Sequence, residues 1–235
     1  MLKQVGANLS IMKSYSHYNS KKKPIDLILD DIFESKKNGF FIELGANDGL
    51  IQSNTAFFEF NRGWKGVLVE PSQIAYNECL KNRPNSTCFN VACVSNNYKE
   101  DIIQGDFNDG SLMGSINGKR NDNKNLIDSK ASTLEFILDS VNTPFIDFLS
   151  LDTEGYEYDI LCGLNLNKYR PKYMLIEVYS SHYVKITQFL KENNYSLVAN
   201  ITNYNREDNP GWDGTHNDYL FIDSLNKLTA NSYPL

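Results

Sequence analysis

An α/β fold with a mostly parallel central sheet, helices on both faces and an antiparallel edge strand is predicted by three features of this 235-residue chain. Short apolar runs alternate with segments of helical spacing. A glycine-bearing loop follows the first of those runs, where a buried parallel strand hands over to a helix. Two late apolar runs then follow one another as the strands of a hairpin would.

Taken in order, Ile25, Leu27, Ile28, Leu29, Ile32 and Phe33 recur at helical spacing and predict a helix ending near Gly39. Phe40 to Leu44 reads as the first strand, and Ser53 as the cap of a helix carrying Ala56, Phe57 and Phe60, with Gly63 as its stop. The second strand runs from Gly66 to Glu70, a helix from Ser72 to Leu80, and the third strand from Cys88 to Val91. Between residues 95 and 130 periodicity fails among Gly105, Gly110, Gly114, Gly118 and many Asn and Asp residues, which predicts short strands or a lid rather than a second core. Regularity returns with a capping-box pattern at Ser132 and Glu135 and a helical face of Leu134, Ile137, Leu138 and Val141. Phe145 to Leu151 is the fourth strand, Tyr156 to Cys162 a helix ended by Gly163, and Tyr173 to Val178 the fifth strand. Tyr183, Ile186, Phe189 and Leu190 mark one more helix, and the late strands fall at Tyr195 to Ile201 and Tyr219 to Ile222. The organisation is an N-terminal extension with a helix over 1–39 and a single domain over 40–235, with the polar insertion inside it.

A hydrophobic content of 41% supplies one sizeable core, and the net charge of -6 argues against a general nucleic-acid binder, which needs a basic face. Cys79, Cys88, Cys93 and Cys162 lack ligand spacing and read as reduced core thiols. With no apolar run long enough to span a bilayer and no signal-peptide pattern, the expectation is no membrane span and a cytoplasmic location.

The most informative segment is Glu43-Leu44-Gly45-Ala46-Asn47-Asp48-Gly49. Gly45 and Gly49 let the backbone turn tightly and approach a ligand, while Asn47 and Asp48 offer hydrogen bonds suited to an amino-acid moiety. The dinucleotide pattern GxGxxG is absent, because Asn47 and Leu50 stand where its second and third glycines would be. Glu70 ends the second strand, where a carboxylate can accept both hydroxyl protons of a ribose. Glycine bend and acidic strand tip, in this order, predict a nucleoside-cofactor site at the carboxyl ends of the strands.

The stretches FFIELGANDGLIQSNT, GWKGVLVEP, FIDFLSLDTEGYEYDIL and YMLIEVY resemble the FkbM family of S-adenosylmethionine-dependent methyltransferases. The resemblance runs from about Phe40 to Val178 and, more weakly, through Asn217 to Phe221; its most specific parts are Asp152-Thr153-Glu154-Gly155 and Glu70-Pro71. It implies the Rossmann-like methyltransferase fold, S-adenosylmethionine as cofactor, and O-methylation of a sugar, nucleotide sugar, glycan or natural product. Carried over by position, it implies that Glu43, Gly45, Asn47, Asp48 and Gly49 surround the methionine portion. Glu70 would then take the ribose, Pro71 and Ser72 shape the adenosine pocket, and Asn90 and Ala92 lie on the adenine side. Ser53 caps its helix and is also within the family's reach of the cofactor carboxylate. Tyr76 and Phe89 read as core rather than stacking residues, and Trp212 as either a sugar platform or a lid anchor.

A sugar hydroxyl is a poor nucleophile at neutral pH, so some group must take its proton or lower its pKa. Asp152 and Glu154 after the fourth strand, Glu177 at the end of the fifth and His182 shortly after are the catalytic candidates. Two mechanisms fit: Asp152, Glu154 or His182 as general base, or Asp152, Glu154 and Glu177 as oxygen ligands of Mg²⁺ or another divalent ion. A methyltransferase of small natural products or proteins, and a non-catalytic cofactor-binding protein of the same fold, are the competing assignments.

Overall fold

The computed structural model describes residues 13–107, 113–118, 125–141, 143 and 145–226. Gly110 and the first residues of the N-terminal extension lie outside them. The elements are α1 (Ile25–Ile32), β1 (Phe40–Leu44), α2 (Ala56–Arg62), β2 (Lys65–Val69), α3 (Gln73–Asn82), β3 (Thr87–Phe89), β4 (Ala92–Val94) and β5 (Ile102–Gly105). They continue with β6 (Ile127–Thr133), α4 (Leu134–Ser140), β7 (Phe148–Leu151), α5 (Glu157–Leu161), β8 (Tyr173–Tyr179), α6 (Tyr183–Glu192), β9 (Tyr195–Asn200) and β10 (His216–Asp223), followed by a 3-10 turn.

The fold is α/β with a mostly parallel seven-stranded sheet, ordered β3-β2-β1-β7-β8-β10-β9. The antiparallel edge is made by the last two strands: β10 runs against β8 and β9 runs against β10. Leu44 pairs with Val69 on one side and Leu151 on the other, so β1, β2 and β7 end level. Their following loops therefore share one rim of the sheet, at its centre, where the chain order reverses.

Alternation along β1 sorts side chains into two layers. Ile42 and Leu44 join Leu134, Leu138, Ile160, Leu161, Ile186 and Leu190 under α4, α5 and α6. Phe41 faces the opposite way, with Ile25, Leu29, Phe57, Phe58, Trp64 and Phe148 under α1 and α2. Each such fully buried large side chain stabilises the fold by about 1.5–3 kcal/mol. Residues ahead of β1 are thus part of this layer, and Arg62 Nε and Nη2 clamp α1 by donating to Asp30 at 2.7 and 2.5 Å.

Several boundaries differ from those predicted. Helix α1 stops at Ile32, because Glu34 and Ser35 adopt positive φ and break the ladder. In α2 it is Phe58 that is fully buried, while Phe60 is 43% exposed. The cap of α4 is Thr133, whose hydroxyl accepts from the Phe136 amide, not Ser132. The insertion, together with β4 before it and the end of β6 after it, forms a second, three-stranded sheet, β4-β6-β5, with a cluster of Ala92, Val94, Ile103, Phe107 and Ile116. That small core was not expected from a stretch so rich in Asn, Asp and Gly, because its apolar members are spread too thinly for a period to show.

Candidate functional site

A cavity of about 850 Å³, solvent at its mouth included, opens on the rim where β1, β2 and β7 end. It is lined by Gly45, Asn47, Ser53, Glu70 and Ser72 and by the apolar Val91, Ala92, Cys93, Phe107 and Ile116. Asp152, Thr153 and Glu154 close the end nearest β7.

The bend after β1 is built from three left-handed residues, Gly45 at φ 77°, Asn47 at 45° and Gly49 at 81°. At Gly45 glycine is required twice over, by that φ and because a Cβ would stand 1.8 Å from the Asp152 carbonyl oxygen. The bend delivers the Asn47 amide to Glu70, which accepts it at 2.8 Å, while the other Glu70 oxygen accepts from the Ser72 amide at 2.7 Å. Acidic strand tip and glycine bend are therefore in direct contact. Asn90 braces the arrangement from behind, its Nδ2 donating to the carbonyls of Glu70 at 2.9 Å and Pro71 at 3.0 Å. Ser72 also caps α3, its hydroxyl accepting from the Ala75 amide.

Burial raises the Glu70 carboxyl to about 7 despite those two amides, and raises Asp218 to about 6. A carboxyl whose folded value is raised favours the fold most when protonated, so its contribution is present at low pH and is lost as pH rises through the folded value. Glu70 alone accounts for about 3 kcal/mol between its ordinary value and about 7. The ligand-free protein is expected to melt lower at pH 8 than at pH 5; a thermal-melt series with a flat or rising midpoint would contradict this.

Of the other residues that the sequence singles out, Glu43, Asp48, Gly49 and Asn90 stand behind the wall rather than in it. Glu43 is buried and accepts from the Ser53 and Thr55 hydroxyls and the Asn54 amide at 2.7–3.1 Å, which sets the start of α2. The Ser53 hydroxyl in turn accepts from the Thr55 and Ala56 amides. Asp48 ties the bend to itself through the amides of Leu50 and Ile51. Beneath this lies Arg83, a residue without any signal in the sequence. It donates to Glu59 at 2.7 Å, the Gly49 carbonyl at 2.8 Å, Thr55 Oγ1 at 2.9 Å and Ser53 Oγ at 3.2 Å, with Glu43 at 3.4 Å. A Cβ on Gly49 would meet Arg83 Cγ at 2.6 Å, so that glycine makes room for the guanidinium stem.

At the β7 end, Asp152, Glu154 and Glu177 bring carboxylate oxygens within 4.8 Å of one another. Burial first, then the neighbouring negative charges, push Asp152 and Glu177 well above the usual carboxylate range. Glu154 adopts φ 55° and accepts from the Tyr179 hydroxyl at 2.6 Å. The Asp152-to-Gly155 loop is held from inside by Glu157, whose Oε1 accepts from the Thr153 and Gly155 amides at 2.9 and 3.0 Å. Glu157 sits in the Asp152-Thr153-Glu154-Gly155-Tyr156-Glu157 run, and its place two residues after a loop glycine at a helix start was the available signal. His182 precedes α6 and is not part of the trio; His216 of β10 is the histidine beside it, Nε2 3.3 Å from Glu177 Oε1. Trp212 donates to the His216 carbonyl at 3.0 Å, which anchors the loop before β10.

No curated protein matches the sequence. Among solved structures the chain is similar to a TehB-like SAM-dependent methyltransferase from Corynebacterium glutamicum, at 7% identity and TM-score 0.46 over 85% of this chain and 86% of that one. It is also similar to precorrin-6y C5,15-methyltransferase from Geobacter metallireducens (10%, TM-score 0.46, 92% and 97% covered). A third is Aeropyrum pernix fibrillarin with bound S-adenosyl-L-methionine (11%, TM-score 0.48, 80% and 67% covered). The family model described as the methyltransferase FkbM domain matches residues 43–197, a span that includes the glycine bend, Glu70 and the Asp152 loop, and the chain therefore belongs to the FkbM methyltransferase family.

Proposed function

We propose that this chain is an S-adenosylmethionine-dependent O-methyltransferase acting on a hydroxyl of a sugar, nucleotide sugar or glycan. The observation that carries the cofactor assignment is the contact between Glu70 and the Asn47 amide, at the junction of an amino-acid-sized bend and an apolar slot. Each Glu70 oxygen has a second lone pair left for a ribose hydroxyl, and its two amide bonds fix the carboxylate in place. Asn47 and the backbone of the bend suit the methionine portion, and Val91, Ala92, Phe107 and Ile116 suit the flat adenine. When bound, the cofactor supplies an electrophilic methyl group on a sulfonium. The chain's own part is alignment of the acceptor oxygen and disposal of its proton.

The acid trio supports a hydroxyl acceptor, since Asp152 and Glu177, whose proton affinity burial and neighbouring charge raise, are suited to taking a proton from an alcohol. The four cysteines are free, which suits a reducing compartment, and we place the enzyme in the cytoplasm on that ground.

Calorimetry with S-adenosylhomocysteine and NAD tests the cofactor. Micromolar binding of the former and none of the latter is expected, and Glu70→Ala weakens it roughly 10- to 100-fold through partial loss of two charge-assisted bonds. Because the diol needs the ionised carboxylate, affinity is expected to fall about tenfold per pH unit below the Glu70 value of about 7. Unchanged affinity in Glu70→Ala would remove Glu70 from the ribose role. A panel of sugars, nucleotide sugars and glycans with methyl-labelled cofactor tests the acceptor; label appearing only in proteins or small aromatic compounds would overturn it.

A further inference from the structure

Two of the four thiols meet at the edge of the central sheet. Cys79 lies in the last turn of α3 and Cys88 in β3, the edge strand, and their sulfurs are 3.7 Å apart. Cys79 is fully buried, whereas Cys88 is half-buried on a strand with no neighbour on its outer side among the described residues. A reagent can therefore reach one sulfur of the pair and not the other. The hydrogen bond with Cys79 and, after it, the charge of Arg83 hold the Cys88 thiol below its ordinary value despite partial burial. Thiolate character and access coincide at Cys88, which makes it the attacking sulfur and Cys79 the resolving one.

Cys79 also touches the glycine bend. A Cβ on Gly49 would stand 3.1 Å from Cys79 Sγ, so the sulfur packs beside that glycine. The same end of α3 holds the bend by its carbonyls: Asn82 Nδ2 donates to the Asp48 oxygen at 2.8 Å, and Arg83, next in the chain, donates to the Gly49 oxygen at 2.8 Å. An S–S bond is about 2.0 Å long, so its formation draws the two sulfurs together by about 1.7 Å and moves Cys79 relative to Gly49. In a close-packed interior a shift of that size is passed to the neighbours, here the two carbonyl contacts.

We propose that Cys79 and Cys88 form a redox modification site that a small disulfide, such as oxidised glutathione, converts from dithiol to disulfide, and that closure of the bond loosens the Gly45 to Gly49 bend. The Cys88 thiolate attacks one sulfur of the small disulfide and expels the other as a thiolate, which leaves a mixed disulfide on Cys88. Cys79 then gives up its proton and attacks the Cys88 sulfur, expelling the second small thiolate. The protein thiols lose two electrons, the small disulfide is reduced to two thiols, and the protons of Cys79 and Cys88 pass to them. In a reducing compartment such a bond is transient, as redox-sensing disulfides there are. The effect on cofactor rests on the methyltransferase reading, whereas the disulfide and the loosened bend are properties of the chain itself. Bound cofactor favours the dithiol by the same factor as the disulfide weakens the cofactor.

Incubation of the full chain with oxidised glutathione, followed by non-reducing peptide mapping, amide hydrogen exchange and calorimetry with S-adenosylhomocysteine, tests the site. A cross-linked Cys79–Cys88 peptide is expected, with Cys93 and Cys162 still free. Residues 45–53 of the oxidised protein should exchange faster, and S-adenosylhomocysteine should bind more weakly by roughly 5- to 150-fold, the usual range of coupling between linked sites. Cys88→Ser, a conservative change at a half-buried thiol, is expected to form no cross-link and to keep its exchange and affinity in the same buffer. Absence of the cross-link, or a cross-link that leaves exchange of the bend or the affinity of a binding-competent chain unchanged, overturns the proposal. So does an equal loss of affinity in wild type and Cys88→Ser, which would assign it to Cys93 or Cys162. A cross-link with faster exchange in a chain that binds no S-adenosylhomocysteine in either state upholds the site and removes the methyltransferase reading instead.

Discussion

Arg83→Met is expected to destabilise the protein by about 3–5 kcal/mol, because it leaves two buried carboxylates without their counter-charge. Arg83 is 1% exposed, and Glu43 and Glu59 are 4% and 5% exposed. No water-facing route is left for either acid once the guanidinium is gone. For a chain of this size the melting midpoint should drop by roughly 10 °C. The damage should also reach the cofactor, since the Gly49 carbonyl, the Ser53 hydroxyl and the Thr55 hydroxyl lose a shared donor. Arg83→Lys restores the charge but not the fork and is expected to recover only part of the loss. Thermal denaturation together with S-adenosylhomocysteine calorimetry measures both effects. A midpoint within two or three degrees of wild type, roughly the shift from 1 kcal/mol, would mean that the network contributes little.

Asp152→Asn is expected to reduce turnover by about 10²–10⁴-fold, the usual contribution of a group that handles the reacting proton. The substitution separates chemistry from folding. The backbone carbonyl of Asp152, not its side chain, is what packs against Gly45, and its amide donates to the Leu44 carbonyl at 3.3 Å. Asn preserves both. Burial first, then the charges of Glu154, Asp218 and Glu157, already drive Asp152 toward the protonated form, whose neutrality Asn reproduces. The midpoint at pH 8 should therefore hold or rise while turnover collapses, with cofactor affinity little changed. Unaltered turnover would exclude Asp152 from proton handling. A joint fall of turnover and midpoint would instead assign it a structural role.

Both experiments bear on residues that differ in how far they could be foreseen. Glu70 and the Gly45–Gly49 bend were visible because a strand end, a glycine pair and a second strand end are each local patterns, and the βα alternation brings them to one rim. Asp152, Glu154 and Glu177 were visible for the same reason, as acids at the ends of the fourth and fifth parallel strands. Glu43 was expected against the cofactor; in the structure its carboxylate lies outside the cavity lining, bonded to the start of α2. A strand residue faces one layer or the other by its parity, and Glu43 shares the face of Phe41, where Arg83 lies 5.2 Å from the Phe41 ring. Arg83 itself gave no sign. It follows a helix and precedes a proline, as many exposed arginines do, and its partners all lie in the stretch from Glu43 to Glu59, far from it in sequence.

The insertion shows the same limit from another side. Its polar composition suggested short strands or a lid rather than a second core, and short strands are present. Yet Phe107 and Ile116 stand in the cavity wall with Ala92 and Cys93, on the side proposed for adenine. Two apolar residues among many Asn and Gly carry no period, so only the pairing of β6 with β4 and β5 reveals which way they face.

By itself the amino-acid order determined the succession of strands and helices, the glycine bend and the acidic strand tips, because hydrophobic period and backbone freedom are properties of neighbours along the chain. Tertiary structure alone decided that His216 and not His182 meets Glu177, and that Arg83 underpins the bend. Those outcomes depend on strand order and register, which place side chains from distant segments within a few ångströms and withhold water from them.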